Sequence, residues 1–291
     1  IEADQVVRKA ATQANPTWGL DRIDQANLPL DNSYTYQETG AGVRVYVVDS
    51  GVRGEHSEFN GRMLQGRDTL DGDSDTSDCN GHGTHVAGTI AGSTYGVAKG
   101  ASIVPMRVLG CDGRGSGQAF LDAAEWIAVN NPEGTPAVAN ASLSFGQYFL
   151  AVERAVERSI SSGVTWVVAA GNEDVDACDV SAGSRVDRAI VVGATDNTDT
   201  RAEFSNHGPC VDVYAPGVDI ESAWYTGNND VNTISGTSMA APHVAGVAAL
   251  YLEQNPSATP TRAKGVIVNN ASVLGWRAQK GEPFIKTFEK Q

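Results

Sequence analysis

No apolar run in this 291-residue chain approaches the roughly 20 residues that a membrane-crossing helix needs, which excludes an integral helical membrane protein. Basic residues are few: 21 Lys plus Arg stand against 35 Asp plus Glu, a net charge of −14. A surface of that sign repels phosphate backbones, so nucleic acid is not an expected partner. It does supply the hard oxygen ligands that calcium takes. The four cysteines include no C-x-x-C pair, which argues against a zinc knuckle or a thioredoxin-type site. The chain opens on Ile1-Glu2-Ala3-Asp4, with no basic segment leading into an apolar one. The expectation is either a protein that is not exported or a processed mature chain. Linkers, low-complexity tracts and repeats are also lacking, and the 41% hydrophobic content is enough for a large core, so one domain over 1–291 is expected.

What is present is an alternation of strand-like and helix-like segments. Val43 to Val48 is a β-branched run that ends at the turn signal Asp49-Ser50-Gly51. Ser102 to Leu109, Pro136 to Leu143, Val164 to Ala170, Ala189 to Ala194 and Val211 to Tyr214 read as further strands. Ser116 to Asn130 and Tyr148 to Ile160 carry apolar residues at helical spacing, and Ser238 to Gln254 is an apolar helix rich in Ala and Val. Thr259 to Val268 is a last helix, opened by a Thr-Pro cap signal. Such alternation implies an α/β fold with a mostly parallel sheet. Sites on such sheets form beyond the carboxyl ends of strands, where Asp49 and Asn172 fall.

Three segments carry the chemistry: Asp49-Ser50-Gly51, Asn80-Gly81-His82-Gly83-Thr84-His85-Val86-Ala87-Gly88, and Gly236-Thr237-Ser238-Met239-Ala240-Ala241-Pro242-His243-Val244-Ala245-Gly246. A serine hydroxyl is a weak nucleophile that needs an adjacent imidazole, and the imidazole needs a carboxylate to orient it. These motifs, in the order Asp, His, Ser, resemble those of the subtilases, the subtilisin-like serine proteases. The resemblance runs from about Trp18 to about Phe284. Trp18 to Gln25, Asp78 to His82 and Phe204-Ser205-Asn206 are similar to the proteinase K-like branch.

The resemblance implies a three-layer subtilisin-like fold and a secreted serine endopeptidase acting on protein and peptide substrates. It makes Ser238 the nucleophile, His82 the general base and acid, Asp49 the orienting carboxylate and Asn172 the side-chain oxyanion donor. It implies that an extended peptide adds as a strand between Gly113-Arg114-Gly115 and Ser142-Leu143-Ser144. The S1 pocket would then be walled by Ser142 to Ser144 and by Ala169, Gly171 and Asn172. Ser144-Phe145 departs from the family's usual Gly-Gly and reshapes the rim. Glu173 falls near the S1 floor, where a carboxylate would favour a basic side chain; a solvated loop charge is the alternative. Gly117 stands where relatives often carry Tyr, so an open S4 rim is expected. His85 and His243 are expected to be packed and hydrogen-bonded rather than catalytic, and His56 and His207 to be loop residues. His82-x-x-His85 lacks the glutamate of a zincin motif, which argues against zinc.

Three acidic groups could bind calcium as structural ions: Asp21, Asp24, Gln25 and Asp31; Asp68 with Asp73; and Asp187, Ala189 and Asp212, whose last member aligns with the carboxylate of a site widely shared in the family. A solvated acidic face is the alternative for each. Cys79 and Cys111 are 32 residues apart, as are Cys178 and Cys210, which favours those two disulfides among three possible pairings; four reduced thiols are the alternative outside a secreted protein. The resemblance further implies a monomer made with its own pro-segment, with the first ~12 residues as an extension relative to the family. No membrane partner is expected. Two other readings remain: a catalytically silent subtilase fold acting as a calcium-binding or interaction module, and an acidic calcium-binding adhesion domain.

Overall fold

Val45, Tyr46, Val47 and Val48 are all buried, although successive strand residues face opposite ways. A strand with both faces apolar must lie between two helical layers. That is the arrangement in the computed structural model, which describes residues 10–146, 149–180, 183–273 and 283–284. The first elements are β1 (Ala11–Ala14), α1 (Trp18–Ile23), β2 (Ser33–Tyr36), β3 (Arg44–Asp49), β4 (Arg67–Asp68), α2 (His82–Ala91) and β5 (Ser102–Arg107). Next come α3 (Gly117–Asn130), β6 (Ala137–Ala141), α4 (Leu150–Ser161), β7 (Val164–Ala169), α5 (Ala177–Val180), β8 (Ile190–Thr195) and β9 (Val213–Pro216). The chain continues through β10 (Ile220–Ala223), β11 (Val231–Ile234), α6 (Thr237–Gln254), α7 (Pro260–Asn269), β12 (Ser272–Val273) and β13 (Pro283–Phe284).

The main sheet has the order β4-β5-β3-β6-β7-β8-β9-β13-β12. The strands from β4 to β9 are parallel throughout. Val45 and Val47 of β3 and Val167 of β7 join α2 and α6 in one core. Tyr46 and Val48, with Trp166 and Val168, join α3 and α4 in the other. These two cores are the outer contacts of a three-layer α/β fold.

The expected strands and helices fall within a few residues of these elements. Ser116 and Thr259 cap α3 and α7 by accepting from the N–H of Ala119 and Arg262. Two small antiparallel pairs were not foreseen: β1–β2, which brackets α1, and the hairpin β10–β11. Most of the expected N-terminal extension, residues 1–9, lies outside the described residues, but Ala11–Ala14 is tied down against Ser33–Tyr36.

The topology itself marks a site. From β3 the sheet grows toward β5 on one side and toward β6 on the other. This reversal opens a crevice beyond the carboxyl end of β3, the place where open parallel sheets bind ligands. Asp49 is the last residue of β3 and Ser142 follows β6 directly.

Candidate active site

Asp49 is fully buried, and one carboxylate oxygen accepts the N–H of Ser50 at 2.7 Å. His82 is the first residue of α2. Its Nδ1 lies 2.8 and 2.9 Å from the two oxygens of Asp49, so with Nδ1 protonated the imidazole is held in one orientation and Nε2 is left for chemistry. Two glycines make this approach possible. Gly81 has φ 111°, and a Cβ there would stand 2.5 Å from the Trp224 ring. A Cβ on Gly83 would stand 2.1 Å from the carbonyl oxygen of Gly51, so only glycine lets α2 press against the turn after Asp49.

Asp78 locks the same turn to the same helix. One of its oxygens accepts from Ser50 Oγ and from the N–H groups of Asn80 and Gly81, each at 2.9 Å. The other accepts from the N–H of Thr84 at 2.9 Å and from its hydroxyl at 2.5 Å. Asp78 had no role of its own in the sequence; its spacing before His82-x-Thr84 was the available sign of a capping role. Burial disfavours the charged His82 ring, but the charge and hydrogen bond of Asp49, together with the charge of Asp78, win and push its pKa up.

Ser238 is the second residue of α6, so its N–H has no partner four residues back within the helix. Its Oγ donates to the carbonyl oxygen of Ser142 at 3.0 Å, not to His82. In return Ser142 Oγ donates to the carbonyl of Ser238 at 2.8 Å. That carbonyl needs a donor from outside the helix, because Pro242, four residues on, has no N–H to offer. Ser238 and His82 both line one cavity. Asn172 is exposed, and its Oδ1 accepts from the N–H and hydroxyl of Thr237 at 2.8 and 3.0 Å. Its Nδ2 donors are thereby turned outward. Asn172 Nδ2 and the N of Ser238 lie 3.7 and 3.6 Å from a single point, the place where a Cβ of Gly236 would be. Both nitrogens thus lie beside Gly236, the residue before α6.

The cavity holds about 530 Å³ and is lined by Gly113, Arg114 and Gly115 on one edge and by Ser142, Leu143 and Ser144 on another. Both expected substrate edges therefore meet at Ser238. Ala169 and Gly171 are buried and, with Glu173, lie outside this lining. Glu173 is exposed, and its carboxylate accepts from Asn206 Nδ2 at 2.7 Å, so it is tied to the loop rather than aimed at the cavity. The expected opening beside Gly117 is filled. The Phe149 ring comes within 3.2 Å of where a Gly117 Cβ would stand, and it stacks on Phe145 with ring centres 6.3 Å apart.

His85 and His243 are buried, bonding the carbonyls of Ile220 and Met239 at 2.9 Å, and burial pushes each pKa down to about 4. His56 lies in a loop as expected, but it is buried, and its Nε2 lies 2.9 Å from the carbonyl of Asp230. Both favoured disulfides are present, Cys79–Cys111 and Cys178–Cys210. The first ties the loop before His82 to the Gly113–Gly115 edge.

Among the described residues, no three His, Cys, Asp or Glu side chains form a group that could hold a metal. The calcium candidates differ in how their charge is met. Asp68 is buried and paired with Arg107, which also holds Asp71 at 2.8 Å, so a cation of the chain's own already stands there. Asp73 accepts from the N–H of Asp75 at 2.8 Å instead. At Asp212 the cation is Lys264, 2.7 Å away. Only the first cluster is uncompensated: among the described residues no basic side chain pairs with Asp21, Asp24 or Asp31. Burial, with the charges of Asp31 and Asp21, pushes Asp24 up to about 6. Gln25 donates to the carbonyls of Asn27 and Pro29 at 2.5 and 2.8 Å.

A family model described as the subtilase family matches residues 40–286. An alkaline serine exoprotease A of Vibrio alginolyticus is 53% identical over 272 residues, covering 94% of this chain and 50% of the relative. An extracellular serine proteinase of Thermus sp. (strain Rt41A) is 54% identical over 272 residues, covering 94% of this chain and 65% of the relative. The chain thus spans half to two thirds of these relatives' lengths. Among solved structures, that of a cold-adapted subtilisin-like serine proteinase superposes with a TM-score of 0.90 at 48% identity, covering 95% of this chain and all of the other.

Proposed function

This chain belongs to the subtilase family, and from that premise we propose that it is a serine endopeptidase cleaving protein and peptide chains through an acyl-enzyme on Ser238. The observation that carries the reading is the Asp49–His82 pair opening onto the cavity that Ser238 lines. An extended peptide lies between the 113–115 and 142–144 edges. The Ser238 hydroxyl leaves the Ser142 carbonyl, turns to His82 Nε2 and attacks the scissile carbonyl carbon as the imidazole takes its proton. The negative charge that develops on the carbonyl oxygen is met by Asn172 Nδ2 and the Ser238 N–H, which need no reorganisation at that moment. Asp49 and Asp78 favour the imidazolium. His82 then gives its proton to the leaving amine, and water, activated by the same imidazole, hydrolyses the acyl-enzyme.

The proposal extends to an extracellular monomer matured from a precursor with a pro-segment, in keeping with the extracellular name of the Thermus relative. Calcium enters it only at the 21–31 loop, where an ion held by Asp24, with its other oxygens from backbone and water, would relieve the repulsion from Asp31 and Asp21. The Asp68 and Asp212 groups fit less well, because Arg107 and Lys264 already engage carboxylate oxygens there. An internally quenched peptide blocked at both ends tests the activity. Cleavage at an interior bond, lost in Ser238→Ala, is expected. An intact blocked peptide would favour a silent binding module instead.

A further inference from the structure

The corner formed by Asp187, Ala189 and Asp212 was expected to hold a metal ion, yet its oxygens are already engaged. The Nζ of Lys264 lies 2.8 Å from the carbonyl oxygen of Asp187, 2.7 Å from that of Ala189 and 2.7 Å from a carboxylate oxygen of Asp212. We infer that the Lys264 ammonium is a permanent substitute for calcium at this corner, which makes the corner indifferent to the metal.

The chemistry matches at each atom. An ammonium carries three N–H donors and no acceptor. Here three oxygens, two of them carbonyls and one a carboxylate, stand within hydrogen-bond range of it. The distances are those of charge-assisted N–H···O bonds, about 2.7–2.9 Å, whereas calcium draws its oxygens in to about 2.3–2.6 Å and asks for six to eight of them. The second oxygen of Asp212 is also occupied, since it accepts the N–H of Val191 at 2.9 Å.

The lysine is delivered by rigid parts. Thr259 and Pro260 start α7 at a fixed place, and the buried side chains of Ala263 and Ile267 seat the helix on the core. Lys264 follows Ala263 and is mostly covered, with 19% of its side chain exposed. The accepting carbonyls come from the turn that leads into β8, and the carboxylate from Asp212, the residue before β9. The ammonium therefore joins α7 to two neighbouring strands of the sheet, the cross-link a bound ion would otherwise make. Being part of the chain, it cannot be drawn off by a chelator or diluted away.

The test needs no activity, so it stands apart from the protease reading and is run in a Ser238→Ala background that also prevents autolysis. Calcium stoichiometry is measured by isothermal titration of the EGTA-stripped protein with CaCl2, and melting by calorimetry in EGTA. The expected result is that Asp212→Asn binds as many calcium ions as its Ser238→Ala parent. Lys264→Ala melts several degrees below that parent in EGTA, because the two carbonyls and the carboxylate lose their partner. Loss of one bound calcium in Asp212→Asn would overturn the inference, since the ion would then be displacing the lysine. An unchanged melting temperature for Lys264→Ala would overturn it as well. If Asp212→Asn does not fold, Lys264→Arg takes its place in the titration: an unchanged count is expected, and loss of one calcium on introducing the bulkier cation would refute the idea that the position is closed to the metal.

Discussion

The carboxylates at the cleft and those at the outer corners have opposite kinds of partner. Asp68, Asp199 and Asp212 each meet a fixed cation, from Arg107, Arg22 and Lys264. Asp49 and Asp78 meet none of these: their partners among the described residues are backbone N–H groups, hydroxyls and the His82 ring. A carboxylate paired with Arg or Lys has spent its charge on holding two elements together. One held by neutral donors is rigid but still fully negative, so its field falls on the imidazole beside it. Partner type, more than acidity or burial, separates the carboxylates that act on chemistry from those that act as rivets.

The sharpest way to break this comparison is to remove the charge at Asp49 while keeping its shape. Asp49→Asn should lower kcat by about 10⁴ with the fold intact, the size expected when the orienting group favours the wrong imidazole tautomer. Asp68 offers the contrast: Asp68→Asn should cost melting temperature while kcat holds. Asn172→Ala follows, with a loss of about 10²–10³ in kcat and little change in KM, because its donors meet charge that exists only in the transition state.

A smaller effect is read from pH. His82 has a raised pKa, so the acid limb of kcat/KM should lie above the ordinary histidine value of about 6.5, with activity rising as the ring loses its proton. The same shift favours the fold at low pH: that contribution is complete below the unfolded pKa and fades as pH climbs through the folded one. Asp78→Asn withdraws one negative charge from the ring and should move the limb to lower pH, a displacement that a purely structural capping role would not produce. Smallest of all is Glu173→Gln. With that carboxylate tied to Asn206, the ranking of Arg, Leu and Phe at P1 by kcat/KM should stay as it was.

Much of this geometry was legible in the sequence because function confines it to a few residue types at strand ends and helix starts. Val43 to Val48 announced a doubly covered strand, and Asp49 its active end. The segments around His82, Asn172 and Ser238 named the other site residues before any fold was known. What escaped had no local pattern. The β1–β2 and β10–β11 pairs are short strands with partly exposed faces, so no clear alternation marks them. Arg107 and Lys264 are ordinary basic residues in the sequence, and only folding brings them to Asp68 and Asp212. Phe149 fills the space beside Gly117 across a turn of the fold, which spacing along the chain cannot report. The calcium expectation followed the acidic residues alone, and the sequence carries no local sign of the cations that stand beside Asp68 and Asp212.

The central claim is that the buried charge of Asp49, acting through His82, turns Ser238 into a nucleophile. A fluorophosphonate probe reacts covalently with such a serine, and peptide mapping by mass spectrometry locates the adduct. The account predicts one adduct, on Ser238, formed rapidly in the native protein and slowed by orders of magnitude in His82→Ala and in Asp49→Asn. Labelling of Ser238 that proceeds at the native rate in His82→Ala, or no labelling of the folded native protein at all, would contradict it.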